Sequence, residues 1–295
     1  MPAPVDGVAI IRVSVMGREG SLMAWSRRTA AWSLVGVASA AMLQACGSTA
    51  ERSDAAPPTT VVPATEPTVL LDFEGSLDDA SSFRNKGQLS GAAVVKSVDG
   101  GRVTVESRPH GGDDHALRFP DHDTSQAPER AVLVVEPPIG DKRLDLGDEA
   151  FEFGADFALD SVSEGGSSDN GNNLVQQGLA SDPSQYKLQV EHRRASCRVA
   201  GSAGQVVVSS SSDVVEGRWY TVTCARKAGE VTLTLQPDEG GPVERVSEPG
   251  ATGALVYPAD TPLVVGGKVS ATSMVVTRNS DQFNGAVDNV FLRID

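Results

Sequence analysis

From Thr68 onward, apolar and polar residues alternate in short runs, each closed by a cluster of Gly, Asn, Asp or Ser. A period of two is that of half-buried strands. It predicts strands at 69–74, 92–98, 116–119, 131–136, 151–159, 174–178, 186–192, 196–200, 205–210, 219–227, 230–236, 263–266, 274–277 and 286–294. No helical period lasts beyond two turns, and no internal repeat is visible. The reading is all-β: one two-sheet antiparallel sandwich over residues 68–295. The alternation is clearest in Phe151-Glu152-Phe153-Gly154-Ala155-Asp156-Phe157, where the odd positions face the core and Glu152 and Asp156 share the other face. Gly165-Gly166-Ser167, Asn170-Gly171-Asn172, Gly201-Ser202-Ala203-Gly204 and Ala228-Gly229 mark turns.

The first 67 residues follow other rules. Arg27 and Arg28 precede an apolar run from Ala30 to Leu43, which ends at Leu43-Gln44-Ala45-Cys46-Gly47. A positive region, an apolar run and a small residue before the cut make residues 1–45 a signal peptide. The run is shorter than the roughly 20 residues that span a bilayer. Leu43-Gln44-Ala45-Cys46 resembles the bacterial lipobox, which implies lipidation of Cys46 and attachment to the cell membrane, facing outside. An ordinary secretory signal with a chance Cys is the alternative. The length of chain ahead of Arg27 suggests that translation starts at Met16 or Met23. Ser26-Arg27-Arg28 is similar to the twin-arginine export motif, although Ala30 and Ala31 stand where that motif is strongly apolar; the general secretory route is the other option. Residues 46–67, rich in Pro, Thr and Ala, read as a flexible tether.

Charge narrows the partners. The chain has 25 Lys+Arg against 39 Asp+Glu, a net of −14, which becomes −16 once residues 1–45 are removed. Nucleic acid, which calls for clustered cations, is excluded as a partner. With 40% hydrophobic residues the whole chain is not disordered, and three cysteines are too few for a disulfide scaffold.

Several segments together resemble the laminin-G-like and concanavalin-A-like lectin–glucanase domains. These are Leu71-Asp72-Phe73-Glu74-Gly75-Ser76, Ala116-Leu117-Arg118-Phe119, Val214 to Arg226 with its Gly-x-Trp, Leu263-Val264-Val265-Gly266-Gly267-Lys268, and Phe283-Asn284-Gly285-Ala286-Val287-Asp288-Asn289-Val290. They occur in the family's order. The resemblance implies a jelly roll whose edges and loops bind ligands, a fold that also hosts hydrolases and structural domains. Relatives from actinobacteria often carry a Cys pair in the region of Cys197 and Cys224, which implies a disulfide, favoured by export, over two buried thiols. Relatives also hold one structural Ca²⁺ where first and last strands meet, and Asp72, Glu74 and Asp288 stand in matching places. Alternation puts Asp288 on the face of Val290, Leu292 and Ile294, where an inward carboxylate needs hydrogen bonds or a cation. The family position of Trp219 is a strand start packed against the core.

Catalytic signatures are missing. The Glu-x-Asp-x-x-Glu string of laminarinase-like hydrolases does not occur, and Glu152 and Asp156, four residues apart on one strand, would lie about 13 Å apart. No Gly-x-Ser-x-Gly, His-Glu-x-x-His, phosphate or dinucleotide loop is present. The histidines of His110-Gly111-Gly112-Asp113-Asp114-His115 and Asp121-His122-Asp123 match no zinc spacing, and a polar loop is the simpler reading. The sequence therefore reads as a non-enzymatic, lipid-anchored surface protein that binds a glycan or an envelope protein. The alternatives are a diverged glycan-processing enzyme with carboxylates from different strands, and a purely structural lipoprotein.

Overall fold

A computed structural model describes residues 66–74, 93–109, 114–136, 140, 142–161, 171–258 and 261–295. The signal peptide, Cys46, most of the tether, and the turns around Gly165 and Asn170 lie outside them. Among the described residues there is no helix, and none long and apolar enough to cross a membrane.

Among the described residues, fifteen strands make two antiparallel sheets. In chain order they are β1 (Val69–Leu71), β2 (Ala93–Val98), β3 (Thr104–Ser107), β4 (His115–Arg118), β5 (Arg130–Val135), β6 (Phe151–Leu159), β7 (Asn172–Gln177) and β8 (Gln185–Glu191). Then come β9 (Arg194–Gly201), β10 (Gly204–Ser209), β11 (Trp219–Lys227), β12 (Glu230–Pro237), β13 (Glu244–Pro249), β14 (Leu263–Val265) and β15 (Gly285–Ile294). One sheet has eight strands in the order β13-β12-β11-β6-β15-β4-β3, with β1 also paired to β15; the other has seven, β10-β9-β8-β7-β14-β5-β2. The all-β sandwich expected from the alternation is the fold.

Thirteen of the fifteen strands fall on predicted segments. The two others, β3 and β13, are outer strands of the eight-stranded sheet, and their residues are mostly exposed. An edge with no buried face has no alternation to read. The segment predicted at 274–277 is no strand; it makes the single bridge Val269↔Val275.

The core lies between the sheets, with Phe151, Phe153 and Phe157 of β6 facing Tyr186, Leu188 and Val190 of β8. Cys197 on β9 and Cys224 on β11 belong to opposite sheets and are joined by a disulfide, their Cα atoms 6.2 Å apart. Both are fully buried, so the bond staples the two layers through the core. The short turns behave as their residues demand: Gly229 takes φ +77° between β11 and β12. His192 and Arg193 take φ +47° and +66° between β8 and β9, a two-residue turn whose twist matches its strands.

Candidate functional site on the outer face of the eight-stranded sheet

The site begins with a register fault. β15 pairs with β6 from Gly285↔Leu159 to Asp288↔Asp156, and again from Phe291↔Gly154, so Asn289 and Val290 oppose Ala155 alone. This is a β-bulge, with Asn289 at φ +47°. It reverses the expected facing of Asp288. Val287, Val290 and Leu292 point into the core, while Asp288 lies directly across from Asp156 on the outer face. A pure period of two cannot anticipate an inserted residue.

Two aspartates side by side repel unless a cation joins them. Arg108, just beyond β3, supplies it. Its Nη1 donates to Asp156 Oδ2 at 2.8 Å and Asp288 Oδ2 at 3.0 Å, and its Nη2 donates to Asp238. Asp114 lies 3.7 Å from the same Nη1. Asn289 completes the set: its side-chain amide donates to both aspartates at 3.0 Å, and its backbone N–H to Asp288 Oδ1 at 2.7 Å. Thr221 of β11 donates to Asp156 Oδ1 at 2.6 Å. Burial pushes the Asp288 carboxyl up to about 7, against the pull of the Asn289 amide and Arg108. Burial also works to lower the pKa of Arg108, but its pairing with Asp156 and Asp238 wins and raises it.

Arg108 lies over Trp219, its guanidinium carbon 4.4 Å from the ring centre. Trp219 was expected to pack against the core, and it does not. Along β11 the buried positions are Tyr220, Val222, Cys224 and Arg226, so Trp219 belongs with Thr221 and Thr223 on the outer face. Tyr220 takes the core place, stacked on Phe157 at 5.7 Å. The same alternation that identified the strand could have placed Trp219 outside. Further along the face, Phe291 lies over Gly154, where a Cβ would come within 2.8 Å of the Phe291 ring and 2.5 Å of the Val222 carbonyl. Arg293 covers Phe291 and donates to Glu152 at 3.0 Å.

The residues proposed for calcium are only partly gathered. The backbone N–H of His115 donates to Glu74 Oε1 at 3.1 Å and lowers its pKa. Glu74 also contacts Asp114, which in turn faces Arg108. Glu74 and Asp288 thus end one chain of contacts, and Asp72 is outside it. Arg108 already supplies the positive charge at Asp288, so these residues do not form a calcium cradle there. Among the described residues, no three His, Cys, Asp or Glu side chains are grouped to hold a metal ion.

With that geometry in view, residues 172–293 match the family model described as Laminin G domain. This stretch is laminin-G-like. It runs from β7 into β15 and contributes Trp219, Thr221, Asp238, Asp288 and Asn289, while Arg108, Asp114 and Asp156 come from the chain before it. No curated protein matches the chain. Among solved structures it is similar to the enzymatically active domain of bacteriophage CBA120 tailspike protein 2, at 16% identity over 72% of this chain and 30% of that one, TM-score 0.47. It is also similar to the LG1-3 region of the laminin alpha2 chain, at 13% identity over 56% of this chain and 33% of that one, TM-score 0.41. A third is the binding domain of Paraclostridial Mosquitocidal Protein 1, at 11% identity over 77% and 48% of the two chains, TM-score 0.48. The chain thus spans less than half the length of each of these three.

Proposed function

We propose that this protein is exported, anchored to the outside of the cell membrane by a lipid on Cys46, and binds an extracellular glycan through the outer face of its eight-stranded sheet. The observation that carries the binding face is Trp219. A partly exposed aromatic ring covered on one side by a fixed guanidinium, beside an amide and a hydroxyl, offers a sugar an apolar contact and directed hydrogen bonds. Arg108, Asn289 and Thr221 are held in place by Asp156 and Asp288, so little ordering is needed on binding. The laminin-G-like match supports a binding module on an extracellular partner. The acidic surface makes a neutral or basic glycan the better fit.

A glycan array probed with the protein tests this. Binding that falls at least tenfold in Trp219→Ala supports the reading; no binding, or binding indifferent to Trp219, removes it and favours an envelope-protein partner or a structural role. Palmitate labelling that disappears in Cys46→Ala supports the anchor, and unchanged labelling refutes it.

One observation favours a second reading, a diverged glycan-processing enzyme. Asp156 and Asp288 come from different strands, reach one guanidinium nitrogen, and one of them titrates near neutrality. Retaining glycosidases need two carboxyl groups about 5–5.5 Å apart, one of them raised in pKa. Against it, the Asp288 side chain is fully buried beneath Arg108 and both its oxygens are already bonded. Turnover of an array hit, lost in Asp156→Asn, would select the enzyme.

A further inference from the structure

We propose that the outer face of the seven-stranded sheet, across β8 and β9, binds the carboxylate of an acidic sugar, at a site separate from Trp219 and the Arg108 network. Tyr186 and Leu188 of β8 and Cys197 and Val199 of β9 face the core. Alternation therefore places Gln185, Lys187 and Gln189 of β8, with Ser196 and Arg198 of β9, on the outer face. Lys187 lies directly across from Arg198, and Arg198 directly across from Val207 on the outermost strand, β10. The row crosses three strands spaced about 4.8 Å apart.

The decisive observation is an excess of cations. Asp281 Oδ2 receives Lys187 Nζ at 2.7 Å and Lys268 Nζ at 3.0 Å. Those two lysine side chains are only 14% and 18% exposed. One carboxylate does not neutralise two ammonium groups, and burial lowers the Lys187 pKa in spite of Asp281. Glu191, the other carboxylate acting on Lys187, stands at the exposed end of β8 and already accepts from Gln189 at 2.9 Å. Arg198 has no carboxylate of its own. Among the described residues its guanidinium makes no side-chain hydrogen bond or ion pair, and its Nε is buried without a partner. Partly buried cations left short of negative charge are costly, and an anion is the occupant that relieves them. In a chain of net charge −14, such a surplus is a local feature.

The neighbours select the kind of anion. Three cations stand against two carboxylates, a surplus of about one charge, which a carboxylate matches and a phosphate dianion exceeds. The planar fork of an arginine holds a carboxylate by two parallel hydrogen bonds. Around Arg198 the groups are neutral and polar. Ser196 and Ser209 bring hydroxyls 3.2 Å apart, and Gln185 has a buried Oε1 without a partner while its Nε2 donates to the Gly178 carbonyl. Val207, 47% exposed, adds an apolar contact beside them. A simple anion would use the cations alone. A uronate uses the whole row: its carboxylate meets Arg198 and Lys187, its hydroxyls meet the polar groups, and the C–H side of its ring lies on Val207.

The test is calorimetric titration at low salt with trigalacturonate, with its methyl ester, and with acetate. The expected result is saturable binding of the acid, with the ester and acetate each at least tenfold weaker. Arg198→Ala should weaken the acid at least tenfold. Its melting temperature should not fall, since the change removes an unpaired donor, so lost binding would not be lost folding. Trp219→Ala should leave the affinity unchanged, which separates this site from the face proposed for the other glycan. No binding of the acid would overturn the proposal, as would an ester or acetate that binds equally well. So would binding indifferent to Arg198→Ala, or binding lost in Trp219→Ala.

Discussion

The two outer faces of this sandwich each bury one aspartate from the same short stretch of chain, and they neutralise it in opposite ways. On the eight-stranded sheet, Asp288 shares the single guanidinium of Arg108 with Asp156 and Asp238. On the seven-stranded sheet, Asp281 receives two ammonium groups, Lys187 at 2.7 Å and Lys268 at 3.0 Å. The surroundings differ too. The chain from 266 to 284 folds back over the seven-stranded sheet, where Val132, Val134, Val264 and Val269 make a second small apolar cluster with Val275. The outer face of the other sheet carries Trp219, Thr221 and Thr223 instead, all half-exposed. One face is closed by its own chain and has cations to spare. The other is open, and its aspartate cluster depends on one cation. An interaction face would be built in the second way, because its polar groups are fixed yet reachable.

That contrast can be broken by mutation. Arg108→Ala should have the largest effect, because it leaves several carboxylates facing each other; about 3–5 kcal/mol is expected in urea unfolding. Loss of under 1 kcal/mol would mean that the cation is dispensable and the two faces are alike. Replacing both Cys197 and Cys224 by Ala should cost about 3–4 kcal/mol, from the loop of 27 residues that the bond closes. It ties the sheets rather than one face, so Trp219 fluorescence in the native state should stay unchanged. Gly154→Ala should cost about 1–3 kcal/mol, since its Cβ would overlap the Val222 carbonyl and force Phe291 aside. Lys268→Ala should be the mildest, about 1 kcal/mol, because Lys187 still answers Asp281.

Two carboxylates of the eight-stranded sheet respond to pH in opposite directions. The carboxyl of Asp288 is raised to about 7 from an ordinary value of 3.8. The folded state therefore holds a proton that the unfolded chain gives up, and stability from this group is full below about pH 4 and is lost as pH rises through 7. Glu244, held down to about 2 by Ser211 and Ser212 despite burial, works the other way: its contribution is present above its ordinary 4.5 and is lost as pH falls toward 2. Asp288→Asn should flatten the urea midpoint between pH 4 and 7 and leave the acid limb intact. Glu244→Gln should do the reverse.

Much of the scaffold was legible in the sequence because burial imposes alternation. β6, β11 and β12 could be read almost to the residue, since each buries one face against the opposite sheet. The edges β3 and β13 could not, having no buried face to reveal them. The disulfide followed from the family resemblance, and the structure shows why it forms: β9 and β11 stack across the core. The candidate site was less legible. Arg108 lies about 180 positions from Asp288 and comes to it only through the order of the sheet. The bulge at Asn289 adds a residue that periodicity cannot see, and it moved Asp288 from the core to the outer face. Trp219 was assigned to the core by analogy, although its own strand placed it outside.

The outer face of the eight-stranded sheet is the proposed binding face. Amide hydrogen exchange, measured with and without a saturating glycan identified on an array, tests it most directly. The prediction is slowed exchange in β11 around Trp219 and Thr221 and in β15 around Asn289, with the seven-stranded sheet unchanged. Protection confined to the segment 266–284 or to β7 and β8 would contradict it.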